Sequence, residues 1–368
     1  MHRARRALHS IWLSLLVTVL VSLAHPCLAD DSPEVAPPKG LIPFYKQVEL
    51  KDGRTLFVGC DKCDRRELAD ESSIVGEVYD PKTRTFSNVG KMIAPRCAAR
   101  VVVLPTQEVL FVGGGPCNGR DRGSFEKVVE IFSPASGRFR EVGELHTRRG
   151  WPSATMLHNG QVLIAEGFDS NQHLIREAEI YDPEQHRLQL VGDMVFPRCN
   201  AARVVLADGS VLFAGGYKCN WPPDSMDKPY EVLKTAERYD PDTARFYRVG
   251  DMTGPRISAA PTLLRDGRAL IVGGRADFDW GTRSDAEVYD PMTNAFTSAG
   301  EMTVPRSGPL LRLMKNGEVL VTGGAYQGPP GASFIQRTSE VYDPATNSFR
   351  PMTLPRNRGT AIDSKPRS

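Results

Sequence analysis

The stretch Glu77-Val78-Tyr79-Asp80-Pro81 begins a pattern that continues through Phe86, Gly90, Met92 and Pro95-Arg96 and ends at Gly113-Gly114. The Tyr-Asp-Pro element occurs six times along the chain. Its copies begin at Tyr79, Phe132, Tyr181, Tyr239, Tyr289 and Tyr342, which are 49 to 58 residues apart. A repeat of this length is typical of proteins in which each unit buries its apolar face only against its neighbours.

One copy shows how a unit is built. Residues 260–264 are apolar, Asp266-Gly267 is a tight-turn pair, and residues 268–272 form a second apolar run before Gly273-Gly274. Residues 286–289 and 295–298 are two further runs, separated by a turn with proline at a favoured position. This order predicts four short antiparallel strands, with the first two innermost.

The diglycine, the Glu-x-Tyr-Asp-Pro-x-Thr-x-x-Phe element and the Met-x-x-x-Arg element together resemble the kelch repeat of bacterial galactose-oxidase-like propellers. The resemblance covers residues 41–363. It implies an all-β fold, a six-bladed kelch β-propeller with four antiparallel strands per blade. Residues 44–50 and residues 355–362 both offer a first strand for the first blade. The N-terminal one is favoured because its turn, Asp52-Gly53, matches the register of the other blades.

The ends of the chain differ from the repeats. Residues 1–29 are predicted to be a signal peptide, with Arg3, Arg5 and Arg6 before an apolar stretch at 11–24. A signal anchor is the alternative, but the stretch is short for a bilayer span. Residues 30–40 form a flexible tail rich in proline and acidic residues, and residues 364–368 form a C-terminal tail. We therefore expect a secreted or periplasmic protein without a later membrane span.

Charge excludes one class of partner. The chain has 46 basic and 44 acidic residues, and removal of the signal peptide leaves 43 and 44, a formal charge of −1. A near-neutral chain has no electrostatic footprint for nucleic acid. We expect a monomer.

Two charged positions recur in all six copies, and both fall at the end of the blade where the first and third strands begin, here called the top. They are predicted to form a structural ring of bidentate pairs; the alternative is a ring of arginines that binds an anion. The glutamates are Glu77, Glu130, Glu179, Glu237, Glu287 and Glu340, and the arginines are Arg96, Arg149, Arg198, Arg256, Arg306 and Arg356.

Function is predicted where the copies differ, in the top loops and just after the recurring arginine. Aromatic side chains mixed with arginine and aspartate suit a sugar or a peptide, although such residues also pack under long loops. The candidate ligand-binding residues are Trp151, Asn200, Tyr217, Trp221, Ser258, Arg275, Asp277, Trp280, Ser307, Tyr326 and Arg358.

Six cysteines follow the signal peptide. Their spacing about the hairpin turns, together with export, predicts three disulfides: Cys60–Cys63, Cys97–Cys117 and Cys199–Cys219. A redox or zinc motif at Cys60 and Cys63 is disfavoured, because no helix N-terminus and no second ligand pair is expected nearby.

No cofactor and no metal are predicted. Galactose-oxidase-like enzymes hold copper with two tyrosines and two histidines, but His146, His158, His173 and His186 lie at no metal-ligand spacing. The favoured function is an exported, non-catalytic propeller that binds a glycan or an extracytoplasmic protein at the mouth of its central channel. The alternatives are a carbohydrate-active enzyme that resembles sialic-acid mutarotases and a structural protein of surface assemblies.

Overall fold

A computed structural model describes residues 46–60, 74–94, 96, 99–115, 125–219, 230–278, 281–328 and 332–352. Every regular element in these ranges is a β-strand. Six antiparallel sheets of four strands and two ribbons of two strands are formed there. The all-β class and the four-stranded antiparallel unit are therefore confirmed. The predicted signal peptide, both tails and the strand expected at 355–362 lie outside the described residues.

The sheets follow one another along the chain. Sheets one to three contain β1 (Lys46–Glu49), β2 (Thr55–Cys60), β3 (Ile74–Asp80), β4 (Thr85–Lys91); β5 (Arg100–Val103), β6 (Val109–Val112), β7 (Val128–Ser133), β8 (Arg138–Glu144); and β9 (Ser153–Met156), β10 (Val162–Ala165), β11 (Glu179–Asp182), β12 (Arg187–Leu190). Sheets four to six contain β13 (Ala202–Val205), β14 (Val211–Ala214), β17 (Ala236–Asp240), β18 (Arg245–Arg248); β19 (Ala260–Leu263), β20 (Ala269–Val272), β21 (Asp285–Asp290), β22 (Ala295–Glu301); and β23 (Leu310–Leu313), β24 (Val319–Thr322), β27 (Ser339–Asp343), β28 (Ser348–Pro351). The ribbons are β15 (Tyr217–Cys219) with β16 (Tyr230–Val232), and β25 (Ala325–Gly328) with β26 (Ala332–Ile335).

Each sheet is a meander in which neighbouring strands pair in chain order. The ribbons extend the connection between the second and third strands of sheets four and six. In sheet one, β1 pairs with β2 and places Glu49 opposite Thr55, so the N-terminal segment supplies the first strand, as the turn register predicts.

The turn between the first and second strands explains the Asp-Gly and Asn-Gly pairs. Gly53, Gly160, Gly209, Gly267 and Gly317 all have φ between 85° and 92°, a left-handed conformation that glycine adopts without steric cost. Sheet two has Gln107 at this position with φ of 75°. Its amide still bonds to the carbonyl of Leu104 at 3.0 Å, so the same turn forms with a strained residue.

Successive sheets pack face to face. First strands lie beside first strands, as with β5 and β9 or β13 and β19, and fourth strands lie beside fourth strands, as with β4 and β8. The second strands β6, β10, β14 and β20 are buried throughout, whereas β12 and β18 are mostly exposed. Five apolar clusters join sheet one to two, two to three, three to four, four to five and five to six.

The aromatic residue that opens each Tyr-Asp-Pro element is a core residue. Tyr181, Tyr239, Tyr289 and Tyr342 are buried, and each packs in the cluster shared with the preceding sheet. Cross-strand aromatic pairs support this face, with ring centroids 5.0 Å apart for Tyr289 and Phe296. No helix in the described ranges is long and apolar enough to cross a membrane.

Candidate functional site

The recurring arginines and glutamates pair within sheets two to six. Arg96 binds Glu130 at 2.6 Å, Arg149 binds Glu179 at 3.1 Å and Arg198 binds Glu237 at 3.0 Å. Arg256 binds Glu287 at 2.7 Å and Arg306 binds Glu340 at 3.2 Å. All five guanidinium groups are fully buried. A buried charge needs such a partner, because desolvation of an isolated ion is costly.

Each of these glutamates also binds the backbone. The second carboxylate oxygen accepts the amide that follows the Met or Leu of the repeat: Ile93, His146, Val195, Thr253 or Thr303, at 2.6 to 2.9 Å. The arginines in turn donate to carbonyls of their own sheet, as Arg256 does to Gly273 at 3.1 Å. Burial lowers the pKa of Arg96, Arg149 and Arg198, against the opposing effect of their glutamates. These donors are used internally, which supports a structural role over anion binding.

The backbone of the same arginines explains the diglycine. The carbonyl of Arg149 accepts the amide of Gly114 at 3.3 Å, and those of Arg256 and Arg306 accept Gly216 and Gly274, each at 2.8 Å. A Cβ on Gly113, Gly215 or Gly273 would clash with the same carbonyls. Each of these arginines therefore joins two sheets, by its carbonyl to the preceding sheet and by its guanidinium to its own.

The residue two positions after the recurring arginine has a left-handed backbone in four sheets. Its φ is 46° at Trp151, 57° at Asn200, 53° at Ser258 and 62° at Gly308. Asn200 Nδ2 donates to Ser258 Oγ at 3.0 Å, and the amide of Gly308 donates to the carbonyl of Ser258 at 2.8 Å. Two predicted site residues, Asn200 and Ser258, are thus neighbours of each other, and Ser258 is also a neighbour of Gly308. A left-handed backbone is rare for a bulky residue such as Trp151.

An aromatic band crosses the top loops of sheets two to five. Trp151 lies between Phe125 and Phe168 with centroid distances of 6.1 Å to each, and Phe168 lies 6.2 Å from Tyr217. The band continues from Tyr217 to Phe278 at 5.2 Å. Trp151, Tyr217 and Phe278 are half-buried, whereas Phe125 and Phe168 are buried, so the band has a packed base and a partly open edge.

Three cations lie near one another and next to Pro152, the residue that follows Trp151. Lys46 on β1 and Arg100 on β5 occupy the same register position, opposite Val58 and Val112. Arg203 on β13 binds Glu166, a buried residue with φ of 59° that stands in place of the first glycine of sheet three. Arg100 Nε donates to the carbonyl of Pro152 at 2.7 Å.

These groups lie close enough to shift one another's pKa. Burial lowers the pKa of Arg100 to about 10, and Arg203 lowers it further while Glu166 opposes the change. Burial also lowers the pKa of Lys46, with a smaller contribution from Arg100. Among the described residues, Glu166 is the one carboxylate that forms an ion pair with these three cations. Lys46, Arg100, Arg203 and Glu166 together therefore carry a net positive charge.

The other predicted site residues are placed less favourably for a ligand. Arg275 is buried, with its guanidinium 5.7 Å from the Phe278 ring, and the pKa of Arg275 is lowered by burial. Asp277 is exposed and accepts the amide of Gly281 at 2.8 Å. Ser307 is buried, and its Oγ has no hydrogen-bond partner in the described part of the chain. Tyr326 lies half-buried on β25. Trp221, Trp280, Arg358 and Arg356 lie outside the described residues.

The predicted disulfides stay a prediction. Cys199 is buried and its backbone pairs with Tyr217, two residues before Cys219 on the same ribbon strand. The side chains of Cys60 and Cys219, and the whole of Cys63, Cys97 and Cys117, lie outside what the structure describes.

Several residues of this region were not predicted. Phe125, Tyr230 and Phe278 complete the aromatic band, and Lys46, Arg100 and Arg203 form the cation group. The sequence did mark Arg100 and Arg203, because each is the single charged residue in an Ala-Ala-Arg-Val-Val segment whose other residues are typical of a buried strand. Glu166 could also have been singled out, because it replaces the first glycine of the diglycine in the third copy of the repeat.

The fold is similar to that of a fungal alcohol oxidase of the AA5 family in complex with copper, with a TM-score of 0.62 and 17% sequence identity. The similarity covers 85% of this chain, which spans 65% of the length of that enzyme. No family model matches the chain, and no curated protein matches it. Identity this low shows the fold alone.

The residues of this chain do not fit a copper centre in its described part. No group of three or more His, Cys, Asp or Glu side chains gathers there as metal ligands. His173 contacts Asp169 at 3.4 Å, and His186 contacts the Tyr181 hydroxyl at 3.1 Å in a different turn.

Proposed function

We propose that the protein is an exported six-bladed kelch-type propeller that binds a glycan or an extracytoplasmic protein at the top of its sheets, without catalysis. The observation that carries this proposal is the left-handed row of Trp151, Asn200 and Ser258. Strained backbone at bulky residues costs about 1–3 kcal/mol and concentrates at functional sites. Four sheets share this backbone conformation at Trp151, Asn200, Ser258 and Gly308, but the four side chains differ. Different side chains at equivalent positions suit a ligand that lacks the symmetry of the repeats.

The chemistry of the region favours a ligand with an aromatic-stacking face and negative charge. The open edge of Trp151 and Tyr217 offers rings to a sugar face or a peptide side chain. Lys46 and Arg100, together with Arg203 and its partner Glu166, give a net positive charge next to Pro152, the residue after Trp151. This charge favours a carboxylate, as in a uronic acid or an acidic peptide.

Binding to an array of acidic and neutral glycans tests the proposal, with the secreted chain as the probe. We expect retention on acidic glycans, and loss of retention in Trp151→Gly, which relieves the backbone strain while it removes the ring. His158→Ala, in a turn at the opposite end of sheet three, is the matched control and should bind like the wild type. An array that responds to neither acidic nor neutral glycans would redirect the search to acidic peptides.

A carbohydrate-active enzyme is the second candidate, supported by the fold of the AA5 oxidase and by Glu166 and Arg203 beside the same region. Anomer exchange of free reducing sugars, followed by NMR with and without the protein, separates the two. Faster exchange would overturn the non-catalytic proposal, whereas glycan retention with unchanged exchange supports it.

A further inference from the structure

Sheet three departs from the repeat at Glu166. In sheets two, four and five this position is a glycine, and a Cβ there would clash with the carbonyl of the next sheet's recurring arginine. Glu166 has that Cβ and keeps the left-handed backbone, with φ of 59°. In the described backbone, the amide of Gly167 donates no bond to the carbonyl of Arg198, although the equivalent amides of sheets two, four and five do donate one. Sheet three therefore loses a repeated bond and contains a strained residue.

The Glu166 carboxylate makes contacts that no glycine could make. The side chain is 1% exposed, its Oε1 accepts the amide of Ala201 at 3.0 Å, and its Oε2 accepts Arg203 Nη1. Arg203 lies opposite Phe213 on β13, and the equivalent residue is Val101 in sheet two. Both members of the ion pair are thus departures from the repeat, and they contact each other.

Arg100 contacts sheet three from the other neighbouring sheet. It lies on β5 of sheet two, and its Nε donates to the carbonyl of Pro152 at 2.7 Å. Its two Nη atoms form no hydrogen bond or ion pair with another residue that the structure describes. Burial, and then Arg203, lower the pKa of Arg100, so the two guanidinium groups are close enough to repel each other. An anion between them would relieve that repulsion.

A guanidinium binds a carboxylate through two parallel N–H groups, so its orientation matters as much as its charge. We infer that Glu166 is a positioning residue: it orients Arg203 so that Arg203 and Arg100 bind one carboxylate of a hexuronate sugar, whose ring stacks on Trp151. Trp151 precedes Pro152 in the chain and is half-buried. A uronate suits this arrangement better than an acidic peptide, because its carboxylate is attached directly to the ring that stacks. The inference rests on the proposed binding of an acidic ligand and adds the residues that recognise its charge.

The substitution Glu166→Gln separates positioning from simple attraction, because the two predict opposite signs. It removes a negative charge beside Arg100 and Arg203, so attraction alone would tighten the binding of an anion. Loss of the orientation of Arg203 should instead weaken binding of trigalacturonate by about tenfold. Calorimetric titration of the full chain measures the affinity. The trimethyl ester of trigalacturonate, which lacks the charge, is the matched ligand and should bind the wild type and the variant equally weakly.

A double variant guards against misfolding as the cause of lost affinity. Glu166→Gly with Arg203→Val restores the residues of sheet two and removes the strained residue together with its partner. It should unfold thermally close to the wild type or above it, while its affinity for trigalacturonate falls to that for the ester. In an Arg203→Gln background, Glu166→Gln should cause no further loss, because it acts through Arg203. Glu184→Gln, in an exposed turn of the same sheet, is the control for the charge change and should bind like the wild type.

Three outcomes overturn the inference. They are unchanged or tighter binding of trigalacturonate by Glu166→Gln, no affinity of the wild type for trigalacturonate, and tighter binding of hexaglutamate than of trigalacturonate. Retention of another glycan on the array would still support the proposed function in each case, so the two can fail separately.

Discussion

The recurring arginine acts through both its backbone and its side chain. The carbonyl of Arg256 binds Gly216 of sheet four, while its guanidinium binds Glu287 of sheet five. Arg256 also has a second carboxylate, Asp285, at 2.5 Å. Burial would raise the pKa of Asp285, but hydrogen bonds from Arg283 and Arg256 outweigh it and lower that pKa to about 2. Arg149 has Glu179 as its one carboxylate partner among the described residues.

This difference predicts unequal effects for the same substitution. Glu179→Gln should lower the free energy of unfolding by about 3–5 kcal/mol, since it leaves a buried arginine uncompensated. Glu287→Gln should cost less, because Asp285 still compensates Arg256. Urea unfolding followed by tryptophan fluorescence measures both. Asp251→Asn, which breaks the exposed pair with Arg248 at 3.0 Å, is the control, with a change of about 1 kcal/mol or less. Equal losses in the two glutamate variants would contradict the compensation by Asp285.

At the scale of the element, the hairpin of each sheet depends on one left-handed turn residue. Sheet one has Gly53 there with φ of 86°, and sheet two has Gln107 with φ of 75°. A Cβ on Gly53 would contact no atom within 4 Å. The two turns should therefore differ in stability because of the backbone strain at Gln107 and not because of side-chain packing.

A reciprocal exchange of these residues should have opposite effects. Gln107→Gly should raise the free energy of unfolding by about 1 kcal/mol, and Gly53→Gln should lower it by about the same amount. Thermal unfolding of the two variants and of the double variant measures this, and the double variant should unfold close to the wild type. A destabilised Gln107→Gly variant would show that the Gln107 side chain contributes more than its backbone costs.

Sequence patterns predicted the strands better than they predicted the site. The Asp-Gly turn, the diglycine and the Tyr-Asp-Pro element each impose a local geometry that one repeat reveals and five others repeat. Arg100 and Arg203 are far apart in sequence, and their approach to Glu166 depends on how three sheets pack. The burial of Ser307 and Arg275 also follows from packing, so neither residue could be separated from an exposed loop residue by its position in the repeat.

At the scale of the whole molecule, sheets one, two and four each contribute one cation to a single region. Lys46 and Arg100 hold equivalent positions on neighbouring sheets, and Arg203 on sheet four binds Glu166 of sheet three. Because burial, and then Arg100, lower the pKa of Lys46, its ammonium loses its proton at a lower pH than an exposed lysine would.

Affinity for an acidic glycan should therefore fall as pH rises through the lowered pKa of Lys46, and it should fall with added salt at any pH. Lys46→Gln should bind more weakly at neutral pH and lose this alkaline dependence, whereas Lys315→Gln, in an exposed turn of sheet six, should behave as the wild type. Calorimetric titration across the alkaline range measures both. An unchanged pH profile in Lys46→Gln would assign the dependence to another group.

Arg149, Arg256 and Arg306 each bind two sheets, and this has a consequence for how such a chain can change in length. The repeats that contain these arginines do not hold all of their own hydrogen-bond partners, because each arginine carbonyl accepts a glycine amide of the preceding repeat. Loss of part of a repeat would leave a buried arginine or glutamate without its partner. Where the loss or duplication of one whole repeat rejoins an equivalent arginine to an equivalent glycine pair, we expect it to be tolerated better than a change within a repeat.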